Sequence, residues 1–203
     1  MVTSVPIKND GARVAALQKY AILDTEPEQA FDDLVLLASF ACNTPIAMIS
    51  LVDEHRQWFK SKMGTSTSET PREIAFCDTA IRQPDVFVVP DTLNDERFRN
   101  NPLVTSEPKI RFYAGAPLIN EDGYALGTIC VIDRSPRELD SSQQAALKAL
   151  SRLVLAQMEF RRNLLLLKEA LIDRTKEEHE RQHELLRVQE TLLRVLGLRA
   201  AKS

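Results

Sequence analysis

Residues 110–133 read Ile110-Arg-Phe-Tyr-Ala-Gly-Ala-Pro-Leu-Ile-Asn-Glu-Asp-Gly-Tyr-Ala-Leu-Gly-Thr-Ile-Cys-Val-Ile-Asp133. Two apolar runs, Ile110 to Ile119 and Ala125 to Asp133, flank Asn120-Glu-Asp-Gly123, a turn whose glycine sits where positive φ costs little. The pattern predicts two strands of an antiparallel hairpin. Upstream, Pro45 to Asp53 is apolar almost throughout, as expected of a central strand covered on both faces. Asp53-Glu-His55 turns the chain into Arg56 to Met63, a second hairpin, and Val86 to Val89 adds a valine-rich strand. Helices are expected from Asp10 to Tyr20, from the capping box Thr25-Glu-Pro-Glu28 to Asn43-Thr-Pro45, and from Ile74 to Arg82. Gly64 to Arg72 reads as a polar loop, and Asp91 to Pro108 as an irregular stretch with room for a small helix. Hairpin-linked strands with helices at the ends define an α+β domain on an antiparallel sheet of about five to six strands.

Beyond this domain, Asp140 to Leu196 reads as a single helix without proline, and Gly197 stands at its end. At about 1.5 Å per residue it would run roughly 80 Å, longer than a compact domain requires. Asp140 and Gln143 make a capping box, and Leu147, Leu150, Val154 and Met158 form a stripe suited to cover a core. After Arg161 the spacing settles into a 4–3 repeat: Leu164, Leu167, Leu171, Arg174, Glu178, Arg181, Leu185, Val188, Leu192 and Val195. Such heptads favour a coiled coil, and polar seam residues tune register at a cost in stability. A homodimer through Leu164, Leu167, Leu171, Leu185, Val188, Leu192 and Val195 is therefore expected.

The 203 residues carry a net charge of −3, which gives no footing for nucleic acid or a membrane surface. No apolar run reaches spanning length, and Met1 to Asp10 lacks a signal-peptide core, so a cytoplasmic protein is expected. Cys42, Cys77 and Cys130 stand far apart in apolar surroundings, the usual setting of reduced thiols. The expected division is an N-terminal helical segment (1–20), a globular domain (21–160) and a coiled-coil helix (161–203).

Several segments read together: Ile22-Leu-Asp-Thr-Glu-Pro27, Ile49-Ser-Leu-Val-Asp53 with Arg56-Gln-Trp-Phe-Lys-Ser61, Glu69-Thr-Pro-Arg72, Ala75-Phe-Cys77, Asp91 with Arg97-Phe98 and Asn101-Pro102, Phe112-Tyr-Ala-Gly-Ala-Pro-Leu118, and Leu126-Gly-Thr-Ile-Cys-Val-Ile-Asp133. In this order they resemble a bacterial GAF domain of the kind found ahead of sensor histidine kinases and diguanylate cyclases. The resemblance spans about Ala21 to Gln157 and implies a GAF/PAS-like sheet with a pocket on one face. It implies a sensory or regulatory role, in which a small molecule or partner is sensed and the state is relayed through the helix pair to an output module. Similar domains bind cyclic nucleotides, bilins, haem or small metabolites, so the resemblance leaves the ligand and any cofactor unknown. Bilin-binding members carry a Cys-His pair where this chain has Cys77-Asp78, and the Asn-Lys…Phe…Asp-Glu set of cyclic-nucleotide members does not occur; Asn94-Asp-Glu96 reads as a local turn.

In that fold the pocket would lie under Thr65 to Arg82 and Asp91 to Pro108. Trp58, Phe76, Phe98 and Tyr113 are candidates for its apolar wall, and Arg72, Cys77, Asp91, Arg97, Asn101 and Thr128 for its polar contacts. Packing alone also explains Trp58 and Phe76, and Asp91 would equally serve to cap a turn and pair with Arg97. No catalytic or metal-binding set is expected. His179-Glu-Arg-Gln-His183 has zincin spacing but lies in the most charged part of the rod, where no closed metal cleft can form. Two alternatives remain open. One is a small thiol-dependent redox enzyme of the methionine sulfoxide reductase kind, using Cys77 or Cys130, although no neighbour in sequence would lower a thiol pKa. The other is a ligand-free dimerisation scaffold. No output-module signature occurs, so a piece of a longer protein or a standalone regulator is expected.

Overall fold

The computed structural model describes residues 9–196. Most of Met1 to Asp10, read as lacking a signal-peptide core, and the helix stop at Gly197 lie outside those residues. The chain forms α1 (Asp10–Gln18), α2 (Gln29–Cys42), β1 (Ile46–Val52), β2 (Arg56–Met63) and β3 (Glu69–Pro71). A 3-10 turn (Arg72–Ile74), α3 (Phe76–Ala80), β4 (Phe87–Val89) and α4 (Pro102–Thr105) follow, then β5 (Phe112–Ile119), β6 (Ala125–Asp133) and α5 (Ser141–Val195). The six strands form one sheet in the order β3-β2-β1-β6-β5-β4, with every neighbouring pair antiparallel.

Every residue of β1 is buried, because the sheet has a core on each face. On one face Leu17 of α1, Phe31, Val35 and Ala38 of α2, and Leu147, Leu150, Val154 and Met158 of α5 pack against Ile49, Leu51, Trp58, Ala114 and Ile129. On the other, Phe76, Cys77 and Ala80 of α3 join Phe98 and Val104 against Met48, Phe59, Tyr113, Cys130 and Ile132. Strand alternation assigns these two sets.

A register shift at Ile49/Ser50 lets Ile49 pair with Ser61 and Ser50 with Phe59, so Lys60 is the extra residue of a bulge. The bulge turns both Lys60 and Ser61 toward α2. Lys60 Nζ, fully buried, donates to Glu28 Oε1 at 2.7 Å, Thr25 Oγ1 at 2.9 Å and the Glu26 carbonyl at 2.7 Å. This overturns the expected capping box. Thr25 donates to the Ile22 carbonyl instead, and Glu28, although at the N-cap, caps nothing with its side chain. A buried ammonium needs acceptors more urgently than an exposed helix end does. The second expected box forms: Asp140 Oδ1 accepts from Gln143 N–H at 2.8 Å, and Gln143 Oε1 from Asp140 N–H at 3.1 Å. β3, expected as loop, is a short edge strand ending in proline, a type with little sequence signal.

Two compact units divide between Phe160 and Arg161. In the second unit the seam residues stand open to solvent, with Leu185 63% and Val195 76% exposed.

Candidate small-molecule site

On the α3 side of the sheet lies a cavity of about 360 Å³. Its floor comes from alternate residues of adjacent strands: Ile46 and Met48 of β1, Gln57 and Phe59 of β2, Tyr113 of β5 and Ile132 of β6. Phe76 and Cys77 of α3 close one side, and Thr65 to Thr67, Thr70, Leu103, Glu107, Pro108, Ile110 and Arg134 form the rest of the wall and the mouth. Phe76 is held in place by stacking on Phe98 (centroids 4.2 Å) and Tyr113 (5.2 Å).

Two polar atoms of this wall are unusual. Gln57 Oε1 and Thr70 Oγ1 are both buried and have no hydrogen-bond partner among the described residues. They sit on residues paired across β2 and β3, so the two orphaned groups are neighbours. A buried acceptor left unmade costs about 1–3 kcal/mol, and most native structures avoid it. At the mouth Arg134 donates through Nε to the Pro108 carbonyl at 3.1 Å, beside the exposed carboxylate of Glu107. An apolar floor, two orphaned groups and one charge of each sign suit a small molecule with an apolar body and an N–H or O–H donor.

Deeper in the wall, three side chains from β5 and β6 meet at Cys77. Tyr113 Oη donates to its Sγ at 3.2 Å and Thr128 Oγ1 at 3.1 Å, and Cys130 Sγ lies 3.9 Å away. Ser50, opposite Thr128 in the β1–β6 register, has a buried hydroxyl committed to no other group among the described residues, so it can turn toward a Cys77 thiolate. Burial pushes the Cys77 thiol up, but the Cys130 thiol and the hydroxyls of Ser50, Thr128 and Tyr113 outweigh it and hold Cys77 below the ordinary thiol range. Burial and the neighbouring Cys77 push Cys130 well above the ordinary thiol range. No neighbour in sequence supplies these donors; they are distant in sequence and assembled only by the fold.

The ten expected site residues separate accordingly. Phe76, Cys77 and Tyr113 line the cavity, while Phe98 and Thr128 brace Phe76 and Cys77. Trp58 does not line it and packs on the opposite face with the α2 and α5 side chains. Arg72 is engaged elsewhere, by Asp78 and Asp10 and by the Asp53 and Glu54 carbonyls. Arg97 pairs with Asp95 and lies over the Phe87 and Phe98 rings, not with Asp91. Asp91 accepts from Leu93 N–H and Asn94 Nδ2, and Asn101 caps α4 while donating to the Ile74 carbonyl. Gln57, Phe59, Met48, Thr70 and Arg134 were missed. The signal for Gln57 and Phe59 was parity: flanking Trp58 in a strand, they must face the other way. His179 and His183 meet edge to face with ring centroids 5.5 Å apart. Among the described residues no group of three or more His, Cys, Asp or Glu gathers that could hold a metal ion, and no helix is long and apolar enough to cross a membrane.

The antiparallel sheet, with α1, α2 and the start of α5 on one face and a pocket beside α3 on the other, defines a small α+β fold. The GAF domain family model matches residues 26–158, and this chain belongs to that family. It is 41% identical over 159 residues to a cyclic di-GMP phosphodiesterase of Pseudomonas aeruginosa, a match covering 78% of this chain and 27% of that protein. The chain thus spans about a quarter of that relative's length. Among solved structures, it resembles the GAF domain of an Acinetobacter phosphoenolpyruvate-protein phosphotransferase (TM-score 0.56, 14% identity, 76% of this chain and 95% of that one). It also resembles the free methionine-R-sulfoxide reductase of Neisseria meningitidis (TM-score 0.55, 15% identity, 81% of this chain and 98% of that one). At such identities these structures speak for the fold alone.

Proposed function

We propose that this GAF domain is a sensory module: a small molecule occupies the cavity over β1, β2, β5 and β6, and a homodimeric C-terminal helix carries the bound state to an output. The observation that carries the reading is the adjacent pair of orphaned groups, Gln57 Oε1 and Thr70 Oγ1, beside the apolar side chains of Ile46, Met48, Phe59 and Ile132. A ligand donor would satisfy both. A filled structural core would have no use for them. The 4–3 seam of exposed leucines and valines supports the helix pair. The P. aeruginosa relative supports a role in signalling, and we place the output with enzymes of cyclic di-GMP turnover or two-component systems. The domain itself is read as regulatory and non-catalytic.

The test is a thermal-shift screen of small metabolites on the full chain and on Gln57→Leu/Thr70→Val. The expected result is a set of stabilising compounds whose effect disappears in the double variant. That variant should itself melt higher without ligand, by about 1 kcal/mol or more, since two unmet groups are gone. Stabilisation by the same compounds in both proteins would refute the assignment of the cavity.

A further inference from the structure

The Cys77–Cys130 contact is chemistry that small-molecule sensing does not use. Cys77 forms part of the cavity wall, and the mouth is bordered by exposed residues, Ser66 and Glu107 among them. Cys130 lies directly behind Cys77, sulfur to sulfur at 3.9 Å, and two hydroxyls donate to Cys77 Sγ. A disulfide needs sulfurs about 2.05 Å apart, so closure asks for an approach of roughly 2 Å. Cys130 is fixed in a strand paired on both sides, whereas Cys77 lies in a helix of only five residues. The movement therefore falls to Cys77 and α3.

We propose that Cys77 and Cys130 form a dithiol that a small hydroperoxide entering the cavity oxidises to an intrachain disulfide. The inference goes beyond the sensing of a bound molecule and does not depend on one. The Cys77 thiolate attacks one peroxide oxygen, the O–O bond breaks, and the alcohol or water leaves with a proton. Cys77 becomes a sulfenic acid. The Cys130 sulfur then attacks Cys77, the S–S bond forms, and the hydroxide released takes the Cys130 proton to leave as water. Two thiols are oxidised and one peroxide reduced, which balances. Space permits it: a water occupies about 30 Å³ of liquid and a hydroperoxide little more, against a cavity of about 360 Å³. Tyr113 and Thr128 act as positioning residues, since donors to the sulfur favour the thiolate that reacts. Cys42 is the internal control. It lies on the opposite face, and burial, with Asp140 nearby, pushes its thiol up to about 11.

The experiment treats the full chain with hydrogen peroxide, alkylates the remaining thiols after denaturation, and maps the peptides by mass spectrometry. Free thiols should fall from three to one, with Cys77 linked to Cys130 and Cys42 still free. In Cys130→Ser, oxidation should stop at a sulfenic acid on Cys77 that dimedone traps. Tyr113→Phe and Thr128→Val should each slow disulfide formation roughly fivefold at neutral pH and move its pH profile upward, as loss of one donor to a thiolate implies. An unmoved profile removes their positioning role. Three surviving thiols, loss of Cys42 at the rate of Cys77, or disulfides formed only between chains would each overturn the proposal.

Discussion

Gly115 shows how one missing atom organises the site. A Cβ there would collide with Tyr113 Oη, so only glycine lets the Tyr113 ring lie along its own strand and bring its hydroxyl to Cys77. Gly115→Ala should displace that hydroxyl at a cost of about 1–3 kcal/mol, the range for overpacking a tight site, and raise the Cys77 pKa. Chemical denaturation and the pH dependence of Cys77 alkylation measure the two effects separately. In the parent chain the reactive species is the deprotonated thiol, which the surrounding donors favour over the protonated form. Alkylation of Cys77 should therefore accelerate with rising pH at lower pH than in Gly115→Ala. The neighbourhood of Phe76, Cys77 and Tyr113 was legible from sequence because aromatic and thiol residues mark apolar walls. Gln57 and Thr70 were not, because their importance lies in what they fail to bond, and only coordinates reveal an absent partner. Trp58 was misplaced because size suggested a pocket while strand parity assigned it to the other face.

Among the elements, α1 is fastened by charge as much as by packing. Asp10 accepts from Arg72 and from Arg13, and Arg13, 1% exposed, also donates to the Val52 carbonyl. The Arg72 hydrogen bond, aided by Arg13 and opposed by partial burial, holds the Asp10 carboxyl down to about 2. A carboxyl depressed in the folded state stabilises above its ordinary value of 3.8 and loses that contribution as pH falls through about 2. Asp10→Asn should destabilise the domain by about 2 kcal/mol near neutrality, the scale of hydrogen bonds to charged groups. The deficit relative to the parent should shrink as pH falls through the same window, which denaturation at a series of pH values would read. At this scale the strands read well: β1, β2, β5 and β6 all fall inside the runs marked by their apolar patterns. The failures have physical causes. The Thr25–Glu28 box was claimed by the buried Lys60, a long-range partner that no local pattern encodes, and β3 is too short to show a period.

Across the whole molecule, the rod and the cavity are two halves of one proposal. The seam is aliphatic at Leu164, Leu167 and Leu171 and again from Leu185 to Val195, with Arg174, Glu178 and Arg181 between. Equal affinity of a ligand for two states would shift nothing, so a relay needs an element with two packings close in energy. The charged block is where a paired rod would be weakest. Replacing Arg174, Glu178 and Arg181 with leucine should raise the helix melting temperature, each buried leucine adding on the order of 1.5 kcal/mol. Deleting residues 160–203 should weaken association in light scattering. The heptad repeat stands in the sequence because it is a matter of period and side-chain type, whereas the pairing it favours is a proposal and the occupant of the cavity is a matter of shape and unmet bonds. The most direct measurement is native mass spectrometry of the full chain as purified from cells. The expected result is a species at twice 22.9 kDa, carrying a small molecule that is lost in Gln57→Leu/Thr70→Val while the dimer persists. A bare monomer at high micromolar concentration would contradict both halves.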